Sequence, residues 1–239
     1  MLNGYKLRDQ LIVGTGWHLV ENAIPQNLID QFNTRLSELV PCRGFTTAKS
    51  YIEGKLIRGI DSNNLSIWWS QQTSKWKEAQ EIISIVERYV KSAMIAPTVY
   101  ASDVVTISPG NNFINPHVDT PHRFDEWNYD TRLLAIQSIV ALHDIDKNSG
   151  STGLWSGSQS FQWPIQDCYK GMYNDDFIKN CVQPFMPKGS LLFYNARLMH
   201  SSMPNPSQTP RKALLVHHCE KSIIEKLSTV DNIWTTENS

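Results

Sequence analysis

Residues 190–219 read SLLFYNARLMHSSMPNPSQTPRKALLVHHC. Two runs rich in Leu, Phe, Tyr and Val, Ser190–Met199 and Lys212–Cys219, flank the loop Met203–Pro210, which is crowded with Pro, Asn and Ser. β-Branched and aromatic residues favour extended chain, and Pro, Asn and Ser set turns. The stretch therefore predicts two strands and a tight connection. As a simple hairpin centred in that loop, it sets His200 opposite Arg211, with Cβ atoms about 5 Å apart. An imidazole that can ligate a divalent metal then stands beside a guanidinium that can fork a carboxylate.

The same alternation of short apolar runs and turns extends upstream through Asp103–Ser108 and Leu133–His143, with turn residues at 109–112 and 147–150. Regular helices do not separate these runs, which argues against a doubly wound parallel sheet and for a mostly antiparallel β core. The first hundred residues differ. Ile24, Leu28, Ile29, Phe32, Leu36, Leu39 and Val40 recur at helical steps and predict a helix over about 25–40. Trp76, Ala79, Ile82, Ile83, Val86, Tyr89, Val90 and Ala93 predict a second over about 74–94, capped by Thr73 or Ser74 and stopped by Pro97. The expected fold class is α+β, mainly β. It is read as one domain over 1–239, with helical support to about 98, a β core over about 99–220 and a tail over 221–239.

Composition narrows the function. The chain has 239 residues, 41% of them hydrophobic, which is enough for a sizeable core. A net charge of −1 gives no basic field for nucleic acid or an anionic membrane. No apolar run approaches the roughly 18 residues of a membrane span. Cys42, Cys168, Cys181 and Cys219 form no CxxC pair, so a reduced, cytoplasmic protein is expected. Gly14-Thr15-Gly16 lacks the third glycine of a dinucleotide loop, and no hydrolase elbow, P-loop or HExxH is present. Asp125, Glu126 and Asp130 read as a solvated acidic loop.

His117-Val118-Asp119 is the most informative short string. In extended chain, residues 117 and 119 project to the same side. Composition alone yields about 0.7 His-x-acid matches by chance, and the chain holds a second, His218-Cys219-Glu220. Only the first is followed by another histidine and an arginine, His200 and Arg211. His117, Asp119 and His200 would make a two-histidine, one-carboxylate face that leaves three positions open, the arrangement of non-haem Fe(II) oxygenases.

Three segments carry a family resemblance. They are His117-Val118-Asp119; Ala141–Gly150 running on to Gln159; and Lys188–Phe193 continuing through Asn195, His200, Pro204-Asn205 and Arg211. Together, over about residues 100–220, they resemble the phytanoyl-CoA dioxygenase family of Fe(II)/2-oxoglutarate oxygenases. The resemblance implies a double-stranded β-helix, or jelly roll, with supporting N-terminal helices. It implies His117, Asp119 and His200 as iron ligands, Arg211 on the distal carboxylate of 2-oxoglutarate, and Ser202 as a co-substrate hydroxyl. O₂ would complete the reactants, with a small-molecule substrate. Gln159 departs from the family's histidine, and Ala213 from a frequent serine. A related halogenating subgroup lacks the carboxylate, so Asp119 points to hydroxylation. A differently reactive or non-catalytic cupin-like metal protein is the alternative, although it leaves Arg211 at its spacing unexplained.

Other residues are candidates by position. Gln137 interrupts the apolar run 133–142 and needs a polar partner, which suggests a 2-oxoglutarate or substrate contact. His122, Arg123, Trp127 and Trp155 are candidates for the substrate side. His217 shares strand parity with Arg211, and His143 reads as a strand-end residue.

Overall fold

The computed structural model describes residues 4–38, 50–52, 55–57, 65–68, 75–110, 116–119, 130–161 and 179–227. Three helices precede the β core: α1 (Gly4–Ile12), α2 (Gln26–Ser37) and α3 (Lys77–Ala93). The strands are β1 (Trp17–Val20), β2 (Ser50–Ile52), β3 (Lys55–Ile57), β4 (Leu65–Trp68), β5 (Pro97–Ile107), β6 (Ala135–Ala141), β7 (Thr152–Leu154), β8 (Leu191–Asn195), β9 (His200–Ser202) and β10 (Arg211–Glu220). Helix α4 (Lys221–Leu227) follows in what the sequence reads as a tail, with Ile223 packed against Cys219, Leu134 and Ala135.

The large sheet has the order β1-β8-β6-β10-β5-β4, with every neighbouring pair antiparallel. Opposite it, β7 pairs with β9. Isolated bridges extend this smaller layer, from His200 to His117 on one side and from Leu154 to Val182 on the other. Two facing antiparallel layers linked in this order make a jelly roll.

Register decides what each face of the large sheet carries. Gln137 lies between Tyr194 and His217, Ile139 between Leu192 and Leu215, and Ala141 beside Ala213. These residues share the face toward the smaller layer, where Leu154 and Met186 complete the packing. Alternate residues Ile136, Val140, Leu191, Phe193, Leu214 and Val216 face the helices. There α2 contributes Leu28, Ile29, Phe32 and Leu36, and α3 contributes Ala79, Ile82, Ile85, Val86 and Val90. Each such side chain, fully buried, stabilises by about 1.5–3 kcal/mol before entropy is counted. Both predicted helices form, each slightly shorter than its apolar stripe. The predicted caps Thr73 and Ser74 lie outside the described residues. Helix α1 is not evident in the sequence; it buries Leu7 and Leu11, and its Arg8 donates to the last carbonyl of α3, Ala93 O, at 3.1 Å.

The hairpin expected over 190–219 does not form. Asn195 ends β8: its backbone carbonyl accepts from Leu198 N at 2.8 Å and its side chain accepts from Arg197 N at 3.0 Å. That Asx-type turn moves the chain from the large sheet to the small one. The run Ser190–Met199 is thus one strand and a turn, and His200 opens a new strand, β9. β6 separates β8 from β10, and Arg211 pairs with Ile107 rather than with His200. The connection 203–210 crosses between the layers. Asn205, fully buried, holds it: its Nδ2 donates to Ile107 O at 3.0 Å and Thr209 O at 2.8 Å, and its Oδ1 accepts from Ser207 N and Oγ.

Candidate metal centre and anion pocket

Short segments of the smaller layer bring the metal candidates together. His117 and His200 exchange backbone hydrogen bonds of 2.9 and 3.0 Å, and Asp119 N donates to Ala196 O at 2.8 Å. His117 and Asp119 point inward. Val118, between them, packs outward with Met199 and Trp155. The inward side chains of His117, Asp119 and His200 each offer a ligand atom, all within 4.8 Å of one another. Asp119 Oδ2 lies 3.2 Å from His200 Nε2, and Oδ1 lies 3.7 Å from His117 Nε2. Donors about 2.1 Å from a metal at right angles stand about 3 Å apart, so this set fits an ion with little movement.

The surroundings orient the donors. His200 Nδ1 lies 2.9 Å from Leu198 O. Its N–H donates there, which leaves the Nε2 lone pair for the site. The Tyr194 hydroxyl donates to Asp119 Oδ2 at 3.5 Å, and its ring lies 4.6 Å from the His200 ring. Burial, followed by the Asp119 charge, holds the Tyr194 phenol well above its ordinary pKa, so it keeps the proton it donates.

The large sheet supplies an anion pocket. Arg211 is 2% exposed. One guanidinium nitrogen donates to Thr152 Oγ1 at 3.3 Å, and Nε has no partner. Burial lowers its pKa to about 10, so it is still charged at neutral pH. No acidic side chain among the described residues pairs with it. A buried cation without an anion is costly, and the fork that remains suits a carboxylate. Thr152 and Ser202 face each other across β7 and β9, and Ser202 is two residues from His200 on the same side of its strand. The metal donors and the guanidinium therefore approach one interior space from opposite layers.

A model of the phytanoyl-CoA dioxygenase (PhyH) family matches residues 15–213. The chain belongs to the phytanoyl-CoA dioxygenase family. Solved structures of the same fold include the epimerase SnoN in complex with Fe3+, alpha ketoglutarate and nogalamycin RO: 14% identity, TM-score 0.67, covering 99% of this chain and 92% of that one. HygX from Streptomyces hygroscopicus, with nickel and 2-oxoglutarate bound, has 13% identity and a TM-score of 0.67, over 90% and 87% of the two chains. The carbocyclase SnoK from nogalamycin biosynthesis has 14% identity and a TM-score of 0.64, over 92% and 86%. A search of curated protein sequences finds no match.

Within this family member the remaining candidates fall in different places. His122, Arg123 and Trp127 lie outside the described residues. Trp155, 6% exposed, packs with Val118 and Met199 on the outward side of the His117–Asp119 segment, the place of a packing residue rather than a substrate wall. Gln137 is not beside Arg211. It pairs with His217, six residues along β10 from Arg211, or about 20 Å. Its Nε2 donates to Tyr100 Oη at 3.2 Å. Register between strands thus sets Gln137 and Arg211 apart along one sheet face. Gln159 donates to Gly14 O at 3.0 Å and ties the small layer to the loop before β1. His143 Nε2 accepts from Lys212 N at 2.8 Å and supports the start of β10. Among the described residues the other His-x-acid string forms no metal cluster: His218 is fully buried, and its two neighbours on the alternate parity, His217 and Cys219, pair with Gln137 and Ala135. Sequence reasoning missed Thr152, Tyr194 and Tyr100. Strand parity made Tyr194 findable, since it shares a face with Leu192.

Proposed function

We propose that the chain is an Fe(II)- and 2-oxoglutarate-dependent dioxygenase that hydroxylates an unactivated C–H bond of a small molecule, releasing succinate and CO₂. The observation that carries this reading is the convergence of His117, Asp119 and His200 opposite a buried guanidinium with no anionic partner among the described residues. Bound metal and 2-oxoglutarate in HygX, and the same pair of ligands in SnoN, support it.

In this reading His117, Asp119 and His200 hold iron on one face and leave the other open. Bound iron, with 2-oxoglutarate and O₂, supplies an oxidant able to attack an unactivated C–H bond. Asp119 contributes the negative charge that tightens metal binding. Tyr194 and Leu198 O fix the orientation of Asp119 and His200. Arg211 anchors the distal carboxylate, with Thr152 and Ser202 beside it. Leu154, Ile139, Leu192 and Ala213 exclude water from the space between. The free thiols Cys181 and Cys219 support a reducing, cytoplasmic setting.

The test is succinate formation by the purified chain with Fe(II), 2-oxoglutarate and ascorbate, with incorporation of labelled O₂ into product read by mass. Succinate that depends on His200 is the expected result. A His200→Ala variant with undiminished succinate would refute the assignment. Succinate without oxygen in the product would replace hydroxylation with another oxidative outcome.

A further inference from the structure

Gln137 sits where an apolar residue would pack. It is 1% exposed, on the inward face of the central strand β6, between Tyr194 of β8 and His217 of β10. One end of its amide meets Tyr100 Oη at 3.2 Å. The other end, Oε1, is buried and has no hydrogen-bond partner. Turning the amide over exchanges the two atoms but still leaves one end unpaired. An unpartnered buried amide atom forfeits its hydration without replacement, so the position is unfavourable unless something completes it.

Location identifies what completes it. Tyr194, directly opposite Gln137, touches both His200 and Asp119, which places the amide one strand away from the metal donors. Tyr100 reaches the same spot from β5, with its ring 5.7 Å from that of His217. Arg211 lies at the far end of β10, about 20 Å along the strand, with Thr152 of β7 bonded to it. The co-substrate anchor and the amide therefore flank the metal from opposite ends of one sheet face. The end away from Arg211 is left for the substrate.

The groups gathered there are an amide, a phenol and an imidazole. Of the carboxylates near them, Asp119 is a metal donor bonded to Tyr194, and Asp103, opposite Leu215, has a partner of its own. Among the described residues the amide and the phenol carry no charge, so a buried ammonium or carboxylate against them would be left uncompensated, which favours a neutral partner. A hydroxyl both donates and accepts, and so satisfies the amide in either orientation.

We propose that Gln137, with Tyr100 and His217 beside it, forms a substrate subsite that binds a hydroxyl group of a hydroxylated small molecule, next to the position that reacts. The proposal rests on the oxygenase reading above and narrows its substrate class. It disfavours a purely acyl chain, for which the unpaired amide would remain unsatisfied.

The test is anaerobic calorimetry on the full chain loaded with Fe(II) and 2-oxoglutarate. The probes are myo-inositol, methyl α-D-glucopyranoside and hygromycin B, with butyryl-CoA as the acyl comparison. At least one hydroxylated probe is expected to bind more tightly than butyryl-CoA. Gln137→Met, of similar length but without hydrogen bonding, is expected to weaken that probe at least tenfold. Gln137→Glu, which keeps the acceptor, should restore part of the loss and covers the case in which the Met variant does not fold. The 2-oxoglutarate charge-transfer band should form at unchanged co-substrate concentration in both variants. Tighter binding of butyryl-CoA, or no binding of any hydroxylated probe, would overturn the substrate class. Equal probe affinity in the variants would overturn the subsite and assign the free amide end to a buried water. Failure of the wild-type chain to form the band would instead count against the oxygenase reading itself.

Discussion

Replacing Arg211 by Met is expected to stabilise the protein when 2-oxoglutarate is absent and to lose most of that advantage over wild type when the co-substrate is present. Burial lowers the guanidinium pKa to about 10, which corresponds to a cost of about 3 kcal/mol for keeping it charged. Since the side chain is 2% exposed, little of this is screened. Above about pH 10 the folded chain gives up the proton before the unfolded one, so stability rises with pH there; below about pH 10 the whole cost is present. At pH 7.5, Arg211→Met should therefore gain up to about 3 kcal/mol, less whatever packing is lost. Saturation with 2-oxoglutarate at 100 times its Kd should then add about 2.7 kcal/mol to wild type and almost nothing to the variant. Urea unfolding of both proteins under anaerobic Fe(II), with and without 2-oxoglutarate, measures all four values. The 2-oxoglutarate charge-transfer titration should show at least a tenfold rise in requirement. Lys212→Ala, on the opposite face of β10, is the control. A variant destabilised by 2 kcal/mol without co-substrate would mean that the guanidinium is already paired. Equal stabilisation of both proteins by 2-oxoglutarate would mean that the anchor lies elsewhere.

Asp119→Ala should abolish Fe(II) binding in an anaerobic titration, while Glu220→Ala should leave it intact; equal loss in both would reassign the ligand set. His218 is fully buried with both ring nitrogens unpartnered; burial, opposed by Glu87 and reinforced by His217 and Lys91, pushes its pKa down to about 4. The unfolded chain binds that proton first, so the stability of the neutral form is complete above about pH 6.5 and falls by about 3 kcal/mol as pH drops to about 4; His218→Leu should flatten that part of a pH series of urea midpoints. Asn205→Ala strips the amide from two carbonyls and from Ser207, and should cost about 2–4 kcal/mol and raise the 2-oxoglutarate requirement by loosening the start of β10. Ile82→Ala in α3 should cost about 2–5 kcal/mol in the same unfolding assay.

The metal residues were legible because their signal is local. Two residues in His117-Val118-Asp119 share a side through strand parity alone, and the only long-range element needed was a later histidine. The helices were legible for a similar reason: α3 presents Ala79, Ile82, Val86, Val90 and Ala93 at helical spacing to one sheet face. The connection between β8 and β10 was not. Its composition is that of a hairpin turn, and only the Asn195 side-chain bond and the buried Asn205 amide show that the chain crosses between layers. Arg211 was still placed beside the metal, although for the wrong reason. The hairpin argument put it on a neighbouring strand, whereas it faces the site from the opposite sheet.

That difference matters for how the site works. The metal donors stand on a three-residue strand and an isolated bridge, held by few backbone bonds. Arg211 and Gln137 stand on long central strands, β10 and β6, that are paired on both edges. Local stability follows the number of buried contacts and ladder bonds around a segment. The two ends of the reaction space are thus set by the most rigid part of the fold, while the metal triad sits on the less heavily paired layer between them. Parity within one strand says which side chains look inward. Only the pairing of β10 with β5 and β6 says that two inward residues, Arg211 and Gln137, stand about six residues apart along one sheet face, on the proposed co-substrate and substrate sides of the metal.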